Sequence, residues 1–203
     1  MNKVFAYLIT GVILLGLMAG GYVASDRIFG DNSKVKSTII AGAPQIGGAF
    51  SLVNNKGENV TEKDFQGKLM LVFFGYTNCP DVCPTEMSVF ANVMQELGDE
   101  GKDVTPVFIT VDPDRDTVEV VDEFVQAFDA SIVGLTGTPE QINAVKKGYR
   151  IYGHAVDKEK DPEFYLVDHT SFTYLMDRQG KLYTAFSYGT SAEKIIKAIK
   201  EIL

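Results

Sequence analysis

Leu69-Met70-Leu71-Val72-Phe73-Phe74-Gly75-Tyr76-Thr77-Asn78-Cys79-Pro80-Asp81-Val82-Cys83-Pro84-Thr85-Glu86 is the stretch on which the fold turns. Its first seven residues, Leu69 to Gly75, form a continuous apolar run, the pattern of a central strand buried on both faces. Beyond it Val89, Phe90, Val93, Met94 and Leu97 recur at helical spacing, and Gly98 can end that helix. Both cysteines of the chain lie between the strand and the helix. Pro84 suits the first turn of the helix, which puts Cys83 at its N-terminus. Free N–H groups and the helix dipole stabilise a thiolate there. The carboxyl end of such a strand is also where open α/β sheets place their sites.

Towards the C-terminus, Val104 to Val111 reads as a second buried strand, and Val121, Phe124, Val125 and Phe128 mark a second helix. Thr138-Pro139-Glu140-Gln141 has a capping-box pattern with proline at the first helical position, and Gly148 stands at the expected C-cap. Ser171 to Met176 and Lys181 to Ser187 flank Asp177-Arg178-Gln179-Gly180, a β-hairpin signal. Thr190-Ser191-Ala192-Glu193 reads as another capping box, opening a last helix with Ile195, Ile196, Ile199 and Leu203 inward. Towards the N-terminus, Ala49 to Val53 and Glu58 to Val60 flank Asn54-Asn55-Lys56-Gly57, which predicts an N-terminal β-hairpin. After that hairpin the order is β-α-β-α, an accessory helix, then β-β-α. This predicts an α/β three-layer sandwich with a mixed central sheet.

Val4 to Ala24 contains no charged side chain, with Lys3 before it and Asp26 and Arg27 after it. The run is long enough to cross a hydrocarbon core of ~30 Å. A short positive N-terminus stays in the cytoplasm and sends the rest of the chain outward. Ala19-Gly20-Gly21 offers small residues near a possible signal cleavage, but the run exceeds a usual signal core, so residues 1–24 read as one transmembrane anchor. No cysteine follows the run, which excludes a lipid-modified lipoprotein. Residues 25–43 mix Gly, Ser, Asp and Lys without period, as a tether does. Residues 44–203 then form the exported domain, on the periplasmic or extracytoplasmic side of a cell or inner membrane.

The 203 residues are 45% apolar and 23% charged, which fits neither intrinsic disorder nor a polytopic membrane protein. Nineteen basic residues face 27 acidic ones without a basic stripe, which argues against nucleic-acid binding. Two Cys and two His are the whole stock of sulfur and imidazole ligands, and a structural zinc site would consume all of them.

A structural disulfide between Cys79 and Cys83 suits an exported chain. So short a loop yields only about 2 kcal/mol, however, and fastens nothing distant. A redox dithiol or a pair of soft ligands remains. Thiolate pairs favour Cu(I), and one imidazole, from His154 or His169, would complete a three-coordinate site. His169 directly precedes the strand Ser171 to Met176, where the loop is expected to face the Cys segment. His154 adjoins the charged run Asp157 to Asp161, an expected exposed excursion. Val111-Asp112-Pro113-Asp114-Arg115-Asp116-Thr117 leaves the second buried strand at its carboxyl end. Asp116 or Thr117 reads as a helix N-cap. Asp112 can orient a ligand or dock a partner, though Asp-Pro turns are common. Met87, one turn into the helix, reads as core.

Gly-Tyr-Thr-Asn-Cys79-Pro-Asp-Val-Cys83-Pro, Val-Asp112-Pro-Asp-Arg-Asp-Thr and Val-Asp-His169-Thr-Ser, in this order, resemble the SCO/SenC family over roughly Pro44 to Leu203. The resemblance implies a thioredoxin-like fold and a membrane-anchored copper chaperone for cytochrome c oxidase. It carries the family's metal ligands onto Cys79, Cys83 and His169, with copper ion as the bound metal. The oxidase subunit that holds the copper centre is then the recipient. A thiol reductant is also implied, because a disulfide cannot bind Cu(I) in this way, and a copper donor is a further expected partner.

Two other classes compete. Val82-Cys83-Pro84-Thr85-Glu86 is similar to the peroxidatic motif of peroxiredoxins. Those enzymes place Thr three residues and Pro seven residues before the cysteine, where this chain has Pro80 and Tyr76. A thiol–disulfide oxidoreductase without metal transfer would prefer C-x-x-C, although that activity can coexist with copper binding.

Overall fold

The computed structural model describes residues 45–203. The expected anchor, 1–24, and tether, 25–43, lie outside the described residues. Among the described residues no helix is long and apolar enough to cross a membrane.

Nine strands and four α-helices follow in the order β1 (Ser51–Asn54), β2 (Asn59–Thr61), β3 (Leu69–Gly75), α1 (Val82–Leu97), β4 (Val104–Thr110), α2 (Val118–Gln126), β5 (Val133–Thr136), α3 (Pro139–Tyr149), β6 (Gly153–Val156), β7 (Leu166–His169), β8 (Phe172–Met176), β9 (Leu182–Ser187) and α4 (Ala192–Lys200). The main sheet runs β2-β1-β5-β4-β3-β8-β9. Strands β3, β4 and β5 are parallel and the other pairings antiparallel, so the sheet is mixed. β3 is central, and all seven of its residues are buried, as its unbroken apolar run requires. Alternate side chains serve opposite layers. Phe73 and Phe108 point towards the α1 and α2 side, where Phe108 meets Phe124, while Phe74 stacks against Tyr149 of α3. Helix α4 packs beside α1, which completes the three layers.

The hairpin β1–β2 forms in the register Ser51↔Thr61, Leu52↔Val60 and Val53↔Asn59. The capping box at Thr138 also forms: its Oγ1 accepts from Gln141 N at 3.3 Å, and its own N–H donates to Gln141 Oε1 at 2.8 Å. Four expectations need correction. Helix α3 runs past Gly148 to Tyr149 and ends on Arg150, at φ 58°, because the Arg150 amide still finds helical carbonyls. The last helix is capped at Ser191 with no side-chain bond, so Thr190-Ser191-Ala192-Glu193 makes no capping box. The predicted order lacks strand β5 (Val133–Thr136). Gly134 allows it to lie against α2, since any Cβ there would collide with Val121. Finally, the exposed excursion after α3 is flanked by two strands that the predicted order lacks. Among the described residues β6 and β7 pair only with each other, in the register Gly153↔His169 and His154↔Asp168. His169 therefore ends a strand of its own and does not sit in a loop leading into β8.

Candidate metal centre

The segment between β3 and α1 gathers the two thiols. Both are unbonded; Cys83 is fully buried and Cys79 half-buried. Asp81, at the N-cap of α1, makes no side-chain cap bond. The sulfur of Cys79 fills that place and accepts from the Cys83 amide at 3.4 Å. This reverses the expected assignment, in which the helix N-terminus favours ionisation of Cys83. Cys79 is the sulfur lowered, to about 5, first by the hydrogen bond from the Cys83 thiol and then by main-chain N–H groups of Asp81 and Cys83. Cys83 is pushed up because it donates to Cys79 and because it is buried.

His169 approaches from β7. Its Nε2 lies 3.6 Å from Cys83 Sγ, and its Nδ1 lies 3.1 Å from the Thr170 carbonyl. A carbonyl only accepts, so Nδ1 donates there, which leaves Nε2 as the ring nitrogen facing the sulfur. Ligating histidines are commonly arranged in this way, with the second ring nitrogen donating to a carbonyl. Two donors bound to one first-row ion at ~2.3 Å (sulfur) and ~2.0 Å (nitrogen) lie roughly 3.5–3.7 Å apart at trigonal or tetrahedral angles, and the observed spacing matches. The third donor is not yet gathered: among the described residues no three Cys, His, Asp or Glu side chains stand together as a ready metal cage. Cys79 is held at the helix end and must turn towards the other two. Tyr76, itself buried, stands edge-on to the imidazole with ring centroids 5.8 Å apart. A cavity of about 250 Å³ opens over Cys79 and His169, with Leu166 and Asp168 at its rim.

His154 does not join them. It pairs with Asp168, on the hairpin face opposite to that of His169, and is exposed. A larger cleft of about 650 Å³ lies beside it, lined by Asp157, Lys158 and Glu159, but contains no thiol. Met87 is fully buried core.

The loop after β4 divides its aspartates. Thr117 is the N-cap of α2. Asp116, fully buried, instead braces the Cys segment: it accepts from Thr77 N at 3.1 Å, Thr77 Oγ1 at 2.6 Å and Thr110 Oγ1 at 2.5 Å. Burial nevertheless raises its carboxyl above the ordinary range. Asp112 does not reach the thiols. Its two oxygens accept from Arg115 Nε and the Tyr165 hydroxyl, each at 2.6 Å. The roles of Asp116, Arg115, Tyr76 and Tyr165 were missed from the sequence. The available signal was three aspartates and an arginine crowded behind a buried strand, but which way each side chain points depends on loop geometry.

The mixed sheet, with a Cys pair heading the helix that follows its central strand, defines a thioredoxin-like α/β domain. The SCO1/SenC family model matches residues 40–203. Protein sco1 of Schizosaccharomyces pombe is 42% identical over 172 residues, covering 83% of this chain but 64% of the relative, less than two thirds of its length. The copper-bound crystal structure of Arabidopsis thaliana ScoI is 40% identical and superposes with a TM-score of 0.72 over 77% of this chain and 98% of its own. Copper-bound Bradyrhizobium japonicum ScoI is 39% identical, with a TM-score of 0.72 over 78% and 99%. The chain belongs to the SCO1/SenC family.

Proposed function

We propose that this protein is a membrane-anchored copper chaperone, not an enzyme, that binds one copper ion through Cys79, Cys83 and His169 and supports assembly of the copper centre of cytochrome c oxidase. The observation that carries the reading is His169 Nε2, which faces Cys83 Sγ from 3.6 Å while Nδ1 is committed to a carbonyl. Copper in the two related structures supports the choice of ion. Binding takes the proton from Cys83, the sulfur that holds it, while Cys79 enters already ionised. Cys79 is the more exposed sulfur, so a recipient's ligand reaches the ion from that side. The uncharged run Val4 to Ala24 anchors the chain, residues 25–43 tether it, and 44–203 work outside the cytoplasm. The partners are the oxidase subunit with the copper centre, a thiol reductant and a copper donor. Asp112 acts indirectly, through the groups it holds.

One observation favours a second activity. An accessible thiolate at Cys79 beside a buried, protonated Cys83 is the asymmetry of an attacking and a resolving thiol, which suits reduction of a target disulfide.

Competition with a chromogenic chelator tests the ligand set. His169→Ala should weaken Cu(I) binding, which two sulfurs still sustain, and weaken Cu(II) binding more severely. His154→Ala should change neither. Loss of copper in His154→Ala with retention in His169→Ala overturns the assignment.

A further inference from the structure

Among the described residues the β6–β7 hairpin pairs with no other strand, and an isolated two-stranded ribbon is marginal in water. Something must therefore hold His169 where it stands. Besides the packing of Tyr165 and Val167 in the core and the Val167 N–H that meets the Tyr76 hydroxyl, three side chains of charged residues attach the hairpin to the body of the domain. Lys158 pairs with Asp114, but both are about half exposed, and such pairs contribute little. Lys146 Nζ donates to the Gly153 carbonyl at 3.0 Å and so grips β6. The third is buried and acts at the entry to β7. Arg115, 14% exposed in its side chain, donates from Nη1 to the Tyr165 carbonyl at 2.9 Å and the Glu163 carbonyl at 3.3 Å. Its guanidinium lies 3.5 Å from the centroid of the Tyr165 ring. Asp112 closes the circuit by accepting from both Arg115 Nε and the Tyr165 hydroxyl. Tyr165 immediately precedes β7, which ends in His169. The same guanidinium lies 5.8 Å from the ring of Tyr76, the ring that stands edge-on to His169. Two routes thus run from one cation to one imidazole.

We infer that Arg115, locked by Asp112 and Tyr165, is a positioning residue that holds the β6–β7 hairpin to the domain and keeps His169 Nε2 within reach of Cys83. It touches neither thiol and acts through the strand it grips. The consequence for copper rests on the ligand reading above; the consequence for the metal-free protein does not.

Arg115→Ala would strand a buried Asp112 and risks unfolding. The informative variants are Arg115→Lys, which keeps the charge and loses the fork, and Tyr165→Phe, which loses one hydroxyl. In the metal-free reduced protein, NMR should show the cross-peak between the His169 ring and Cys83 in the parent and its loss in both variants, with cooperative melting retained. Cu(II) affinity should fall by about tenfold or more, in the range of lost outer hydrogen-bond partners, while Cu(I) affinity, sustained by the two sulfurs, should fall less. Variants that melt lower yet keep the His169–Cys83 cross-peak overturn the inference, as do variants indistinguishable from the parent. If His169→Ala leaves Cu(II) affinity unchanged, the ligand reading fails, and the metal-free cross-peak still decides the role of Arg115.

Discussion

Gly75 closes β3 and sets the depth at which Cys83 can lie, so Gly75→Ala probes the site mechanically. The added methyl would stand 2.8 Å from Cys83 Sγ, 2.9 Å from Phe108 Cε2 and 2.9 Å from Phe73 Cε1. Ordinary contact begins at 3.4 Å, so the sulfur must retreat by about 0.6 Å or carry the first turn of α1 with it. All three neighbours are fully buried and have no free space to enter. Overpacking of this kind costs about 1–3 kcal/mol. At about 2–4 °C per kcal/mol for a domain of this size, the melting midpoint should fall by roughly 2–12 °C. Ligand distances tolerate only about 0.2 Å, so Cu(I) affinity should fall at least about tenfold as well. Gly134→Ala is the matched control: on β5, two places from β3, its added methyl collides with Val121 of α2 and should lower the midpoint while leaving copper affinity intact. Thermal unfolding of the metal-free reduced protein and chelator competition read both quantities. A Gly75→Ala protein that melts and binds as the parent does would refute the reasoning, and so would equal copper loss in the two variants.

Three further outcomes are expected. Iodoacetamide should label Cys79 of the metal-free protein at a steady thiolate-limited rate down to mildly acidic pH, then lose rate with a midpoint of about 5. The lowered value means that the thiolate contributes stability in full above the unfolded thiol pKa, and that this stability is lost as pH falls through about 5. Cys83→Ala, which removes the donated hydrogen bond, should move the labelling midpoint upward; a parent midpoint at the ordinary thiol value would contradict the site's electrostatics. Asp116→Asn turns an amide towards hydroxyl and main-chain donors and should cost about 1–3 kcal/mol, read as a lower melting midpoint; an unchanged midpoint would show that the brace on Thr77 is idle. The full chain should stay in the membrane fraction through alkaline carbonate, with its domain digested by protease added outside; a mature N-terminus near Ala24 would replace the anchor with a cleaved signal.

The parts of the fold legible in the sequence were those with a long or redundant signal. Leu69 to Gly75 is unbroken and apolar because β3 is buried on both faces, and Thr138 to Gln141 carries both halves of its capping box. β5 was hidden because four residues containing a glycine show no period, and its pairing partners lie far away in sequence. β6 and β7 were hidden because their ladder is exposed on one side and interrupted by a charged turn. At the site, residue order pointed to His169 rather than His154 as the histidine facing the Cys segment, and His169 is the one that lies beside Cys83. They did not say which sulfur would be ionised. That depends on the direction of the Cys83 thiol and amide towards Cys79, a matter of about one rotamer that no spacing rule encodes.

The central claim is that two thiolates and one imidazole hold a single copper ion. Its most direct measurement is copper titration of the 25–203 fragment followed by native mass spectrometry, with the protein first reduced and then oxidised to the Cys79–Cys83 disulfide. The account predicts one tightly held copper ion in the reduced protein and far less in the oxidised one, because the donor sulfurs are consumed. Equal copper stoichiometry before and after oxidation would contradict it.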